Sequence, residues 1–270
     1  MKFSLNRGQC FGVILISVAL FEMSPSFAQR GQQRERPAGS DRPSIQEAGL
    51  MPVFPQGNNC PPITSAFGAR TDGAGNMRDI RIHGGRHGGV DIGLKVGHPL
   101  VAIMSGEVIA KGPYEGRGAQ MEGIFLWLRH SPQDSNLPFW TFSKYQHLDT
   151  LPTLNVGDRV VVGQPIGLGG DTGTYAKKFG ISLPHLHMST FINEEGRYKV
   201  IGESNNMVVS PGALHIDMMA LFIPGITIEK ARSDPLYSES SKSLFVATAD
   251  IQGALSDSNA KIVWPVACLR

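Results

Sequence analysis

Between Cys60 and Asn193 the chain is cut into short apolar runs at near-regular spacing. They are "HPLVAIMSGEVIAKG", "GIFLWLRH", "TFSKYQHL", "RVVVGQPIGLGG" and "LPHLHMSTFI". β-Branched and aromatic residues are frequent in them, and glycines separate them. Such runs predict antiparallel strands joined by tight turns. No long amphipathic helix interrupts the region. Gly 32 and Pro 18 exceed one residue in six, which favours turns and β structure further. The expected fold is mainly β: an antiparallel sheet core from about residue 60 to 199. "VGDRVVVGQPIG" reads as a strand pair turning at Gly157-Asp158.

The flanks read differently. Lys2 and Arg7 precede the apolar stretch Phe11 to Phe21, and small residues follow at Ser26 and Ala28. This is the pattern of a secretory leader cleaved after Ala28, so 1–28 is expected to be an export signal. The apolar run is short for a membrane span, and no stable membrane anchor is expected after cleavage. Residues 29–59 are polar for most of their length and predict a flexible linker. Residues 200–270 predict a small extension packed on the core. In it "SPGALHIDMMALFIP" reads as a short helix capped by Ser210, and "SKSLFVATADIQGAL" and "KIVWPVACLR" as strands.

Loss of the leader removes Lys2, Arg7 and Glu22, so 25 basic and 23 acidic residues become 23 and 22. A nearly neutral chain gives no reason to expect nucleic acid as a partner. Cys10 leaves with the leader. Cys60 and Cys268 then remain, and two cysteines in an exported chain are expected to pair.

The chemistry-bearing residues are histidines. "HGGRHGGVDIG" (His83 to Gly93) places His87 four residues before Asp91. On a regular strand those two side chains would stand about 13 Å apart, too far to share one ion. Gly88 and Gly89 disfavour a helix. A kinked segment, with glycines supplying unusual backbone angles, would aim both at one point. "LPHLHMS" sets His185 and His187 on one strand face, about 6–7 Å apart, with Leu186 facing the other way. "KYQHLDT" adds His147. His83, four residues before His87, is an alternative ligand.

Taken in order, "ITSAFGAR", "HGGVDIG", "GHPLVAIMSGEV", "YQHL", "VGDRVVVGQPIGLGGDTG" and "HLH" resemble the lysostaphin-type, LytM-like zinc metallopeptidases, which cut peptidoglycan peptides. The resemblance covers roughly residues 60–193. It implies a zinc-containing groove with His87, Asp91 and His187 as ligands, and it leaves His83 outside that set. It implies His147 and His185 as catalytic residues that do not bind the metal. The implied activity is zinc-dependent hydrolysis of peptide cross-links in peptidoglycan, by an enzyme in the periplasm or outside the cell. The implied partner is the peptidoglycan stem peptide. A non-catalytic activator of another wall hydrolase, or a secreted protease of glycine-rich proteins, are the alternatives.

Two stretches depart from the family pattern by their length: His130 to His147, and Thr172 to His185. Both are expected to be enlarged loops beside the groove, with Phe139, Trp140, Tyr145 and Tyr175 as candidate lining and a plain core role as the equal alternative for Phe139 and Trp140. Arg70 and His130 are candidates for the site's periphery. His98 and His215 match nothing in the pattern and are expected to be structural.

Overall fold

The computed structural model of the protein describes residues 51–72, 75–80, 83–113, 123–201, 207–209, 212–232 and 243–269. The expected leader and most of the expected linker lie outside the described residues. The strands, in chain order, are β1 (Met51–Val53), β2 (Ile63–Ser65), β3 (Val90–Gly93), β4 (Pro99–Val101), β5 (Gly106–Pro113), β6 (Ile124–His130) and β7 (Trp140–Leu148). They continue with β8 (Arg159–Val160), β9 (Pro165–Leu168), β10 (His185–Asn193), β11 (Lys199–Ile201), β12 (Met207–Val209), β13 (Leu214–Ile216) and β14 (Ser243–Phe245). The main sheet has eight strands in the order β2-β3-β10-β7-β6-β5-β8, with β13 also paired to β10. Every pairing in it is antiparallel. The expected mainly-β, antiparallel core is what the chain forms, and its described helical segments are at most five residues long.

Strand alternation divides the side chains between two faces. Val90, Ile92, Leu126, Leu128, Tyr145, Leu186, Met188 and Ile192 point into the main core. Phe125, Trp127, Phe142 and Phe191 point the other way and pack with Tyr198, Val200 and Val208. His185 and His187, alternating with Leu186 and Met188, therefore share this second face. Tyr145 is fully buried, and its hydroxyl accepts from Ile103 N at 2.8 Å and donates to Val101 O at 3.1 Å.

The flanking segments differ from expectation. Met51–Val53 lies inside the expected linker, yet it forms a parallel pair with β14. Asn58 Nδ2 also donates to Thr248 Oγ1 at 2.9 Å. The pairing partner is nearly two hundred residues away, which is why local polarity misplaced the boundary. The expected C-terminal helix is instead β13 followed by a 3-10 turn at Met218–Phe222, capped by the Asp217 carboxylate. Ser210 and Pro211 fall outside the described residues. Of the two expected C-terminal strands, the first shortens to β14. The second, "KIVWPVACLR", makes only single bridges, Val266 to Leu100 and Leu269 to Asn59. Trp264, Val266 and Cys268 nevertheless lie in the main core, so this stretch fills the core rather than resting on it. Cys60 and Cys268 form the expected disulfide.

The strands β8 and β9 exist, but they do not pair with each other. β8 pairs with β5, and β9 with β4.

Candidate metal centre

Asp91 and His187 face each other directly across β3 and β10. Val90 and Ile92 on either side are fully buried and fix which way Asp91 points. His87 lies just before β3, in a segment held by His87 N to Ala69 O at 2.9 Å and Gly68 N to His87 O at 2.8 Å. The kink between His87 and Asp91 is present, but its glycines do not have the expected unusual angles. The positive-φ glycines nearby are Gly84 and Gly85, in the 3-10 turn His83–Gly85. Gly89 is required for another reason. A Cβ there would sit 2.6 Å from His187 Nε2 and 2.7 Å from Met188 O. The backbone approaches the imidazole too closely for any side chain.

Three donor atoms converge. His87 Nε2 is 3.0 Å from Asp91 Oδ1 and 3.1 Å from His187 Nδ1, and His187 Nδ1 is 2.8 Å from Asp91 Oδ1. The surrounding bonds decide where the protons are. His87 Nδ1 donates to Ala66 O at 2.9 Å, so its Nε2 is a bare lone pair. Ser189 Oγ donates to Gly88 O at 2.9 Å and accepts from His187 Nε2 at 3.2 Å, so His187 Nδ1 is bare as well. The third apex is a carboxylate oxygen. Burial lowers the His187 pKa to about 4, so protonation of that ring does not relieve the site near neutral pH.

With both rings neutral in these tautomers, three acceptor atoms face one another, an arrangement that could hold a cation. The triangle's edges are close to the roughly 3.3 Å between neighbouring ligands in tetrahedral zinc. Two imidazoles and a carboxylate are also an ordinary zinc donor set. His87, Asp91 and His187 are the group among the described residues that could hold a metal ion. Arg78 stands behind them: one guanidinium nitrogen is 3.7 Å from Asp91 Oδ2 and donates to Ser65 Oγ at 2.9 Å.

The other two histidines lie against this group. His185 Nε2 is 3.7 Å from Asp91 Oδ1. The His147 ring centroid is 4.8 Å from that of His185 and 6.0 Å from that of His187. His147 reaches this face through an irregularity. Ile124 pairs with Leu148 and Phe125 with Gln146, which leaves His147 unopposed as a β-bulge. Its φ of 64° is left-handed, rare for a residue with a Cβ. In a regular strand it would share the core face of Tyr145. Here the ring turns to the site, and Nδ1 donates to Thr172 O at 2.7 Å. Burial, then the adjacent His185 and His187, lower its pKa to about 3.

Residues 85–198 match the description "Peptidase family M23". The match takes in 114 of the chain's 270 residues. Over 114 residues the chain is 34% identical to lysostaphin of Staphylococcus simulans, covering 42% of this chain and 20% of that protein. The glycyl-glycine endopeptidase ALE-1 of Staphylococcus capitis is equally similar over the same length, covering 27% of it. This chain therefore spans only about a quarter or less of either relative. Among solved structures, the catalytic domain of S. simulans lysostaphin is 25% identical, with 55% of this chain and 89% of that one covered and a TM-score of 0.34.

The fold brings together His87, Asp91, His147, His185 and His187, the five site residues expected from the sequence. Ser65, Arg78, Thr172 and Ser189 orient them and were not singled out. Ser65 lies inside "ITSAFGAR", a stretch noted only as a whole. Arg78 carries no signal at all. Several peripheral expectations do not hold. His130 sits at the opposite end of β6 and β7, roughly 20 Å along the strands. There its nitrogens bond Ser105 O and Ser143 Oγ, both at 2.8 Å. The excursion after His130 is at that far end too, folded into a helical turn (Pro132–Ser135) closed by a Ser131–Asp134 capping box. It does not border the site. Phe139 and Tyr145 are core residues, and Trp140 packs against the Arg129 guanidinium. Tyr175 alone of the four aromatics is on an exposed loop leading to His185. His98 Nε2 bonds Ala267 O at 2.8 Å, and His215 stacks on Phe191.

Proposed function

We propose that the protein is a zinc-dependent endopeptidase that hydrolyses peptide cross-links of bacterial peptidoglycan, acting in the periplasm or outside the cell. His87, Asp91 and His187 hold the zinc; His147 and His185 are the catalytic pair. The observation that carries this reading is the meeting of three candidate ligand atoms within 3.1 Å, with two further imidazoles at their edge. Export is supported by the Cys60–Cys268 disulfide, a bond that persists in oxidising compartments.

Zinc in such a site lowers the pKa of a water molecule and polarises the scissile carbonyl. The chain supplies the rest. His147 and His185 each donate Nδ1–H to a backbone carbonyl, Thr172 and Leu183 respectively. Both rings are thereby fixed in one tautomer with Nε2 as acceptor. An acceptor of this kind takes a proton from the attacking water; once protonated, it donates to the developing oxyanion or to the departing amine. Gly89 keeps the wall beside His187 free of a side chain. Ser189 and the Ala66 carbonyl keep the two ligand imidazoles in register.

Glycine bridges, the target in the name of the S. capitis relative, and cross-links that bear side chains both belong to this class. The test is incubation of purified protein with cross-linked muropeptides, with and without a chelator, followed by mass analysis. New amine and carboxyl termini that disappear with chelator and return with zinc are expected. Intact cross-links in every condition would exclude the peptidase reading.

A further inference from the structure

The segment between Thr172 and His185 is one of the two places where the chain exceeds the family pattern, and the proposed mechanism leaves the side chains of its exposed loop unused. Its two ends are tied to the two catalytic histidines. At one end Thr172 O accepts from His147 Nδ1, and at the other Leu183 O accepts from His185 Nδ1 at 2.8 Å. Gly170 O also accepts from His185 N at 3.1 Å.

The loop is built. Tyr175–Phe179 is a 3-10 turn closed by Gly180, at φ 70°. The buried Asp171 carboxylate clasps both limbs, with Lys177 Nζ on Oδ1 and Ser182 Oγ on Oδ2, each at 2.6 Å. Tyr175 and Phe179 meet edge to face at 5.4 Å.

Yet its large apolar side chains are turned outward. Tyr175, Phe179, Ile181 and Leu183 are 59%, 65%, 54% and 53% exposed. Four such residues within nine positions, on a loop held in shape by a buried carboxylate, form a patch of the kind that marks a binding surface. The loop leads directly into His185, so the patch lies on the segment that enters the site.

We propose that the Tyr175–Leu183 loop is the specificity wall of the site and selects peptides with apolar side chains next to the scissile bond over bare oligoglycine. This rests on the peptidase reading above. Glycine offers no side chain to cover the patch. An alanyl or leucyl residue does, and the clasp by Asp171 means that little ordering entropy opposes the contact.

Binding and cleavage test the two readings separately. Calorimetry on the zinc-loaded protein compares an amidated alanine–leucine peptide with amidated pentaglycine. The wild type is expected to favour the first by about tenfold, the scale of one buried apolar side chain. The exposed double variant Phe179→Ser, Ile181→Ser is expected to abolish that preference without changing pentaglycine binding, and Phe179→Leu to retain it. Equal affinity of the wild type for both peptides, or a preference unchanged in the double variant, overturns the proposal. So does a wild-type dimer that the double variant abolishes while peptide binding persists, since the wall would then cover a second copy of the chain. Loop-dependent binding supports the wall even if neither peptide is cleaved. Failure of cleavage counts only against the peptidase reading.

Discussion

His147 and His185 lie 4.8 Å apart, ring centroid to ring centroid, and each gives its Nδ1 proton to a backbone carbonyl. They come from neighbouring elements of the cleft, and neither belongs to the converging donor set. Replacing either with alanine is expected to lower turnover by about 10²–10⁴-fold while zinc content stays near wild type. Paired metal analysis and muropeptide cleavage check this. Loss of zinc in His185→Ala with retention in His187→Ala would exchange their roles.

The ligand set makes a complementary prediction. His87→Ala should bind less than stoichiometric zinc, because two donors remain. Ser189→Ala should be milder. It removes the hydroxyl that fixes the His187 tautomer, and affinity is expected to fall about 10–100-fold. Competition against a chromophoric chelator separates the two cases.

His130 gives stability a pH dependence unrelated to catalysis. It is fully buried, and burial lowers its pKa to about 4 from an ordinary 6.5. Between those values the unfolded chain binds a proton that the folded chain does not. The contribution is therefore complete above pH 6.5 and is lost as pH falls towards 4, by about 3 kcal/mol in all. Urea unfolding at stepped pH should show a steeper acid decline in wild type than in His130→Gln. Parallel curves would show that the imidazole stays solvated.

The Cys60–Cys268 bond closes a loop of more than two hundred residues. Chain entropy alone gives such a closure on the order of 5 kcal/mol. Unfolding with and without reductant measures it. A shift near zero would mean that the unfolded chain is already compact around these cysteines.

The strands were legible because apolar alternation is a local property. The shared face of His185 and His187 followed from their spacing alone. What sequence could not supply were pairings. The turn at Gly157-Asp158 forms, but β8 after it pairs with β5, β9 pairs with β4, and β1 pairs with a strand near the far end of the chain. His147 shows the limit most clearly. Alternation would put it on the core side with Tyr145, and only the mismatch between β6 and β7 turns it outward. A mismatch belongs to two strands together. The glycines of "HGGVD" point the same way: sequence suggested unusual torsion, whereas the structure requires room for an imidazole from a hundred residues away.

The disulfide also has a mechanical consequence. Cys60 and Cys268 join next to the point where Asn59 bridges Leu269, and β1, outside the closed ring, pairs with β14 inside it. Tension applied at residues 60 and 268 passes through a single covalent link. The strands carrying His87, Asp91, His147, His185 and His187 lie within the closed ring and bear none of that load. An enzyme that works on a stretched polymer network would keep its catalytic geometry while being pulled at those two positions.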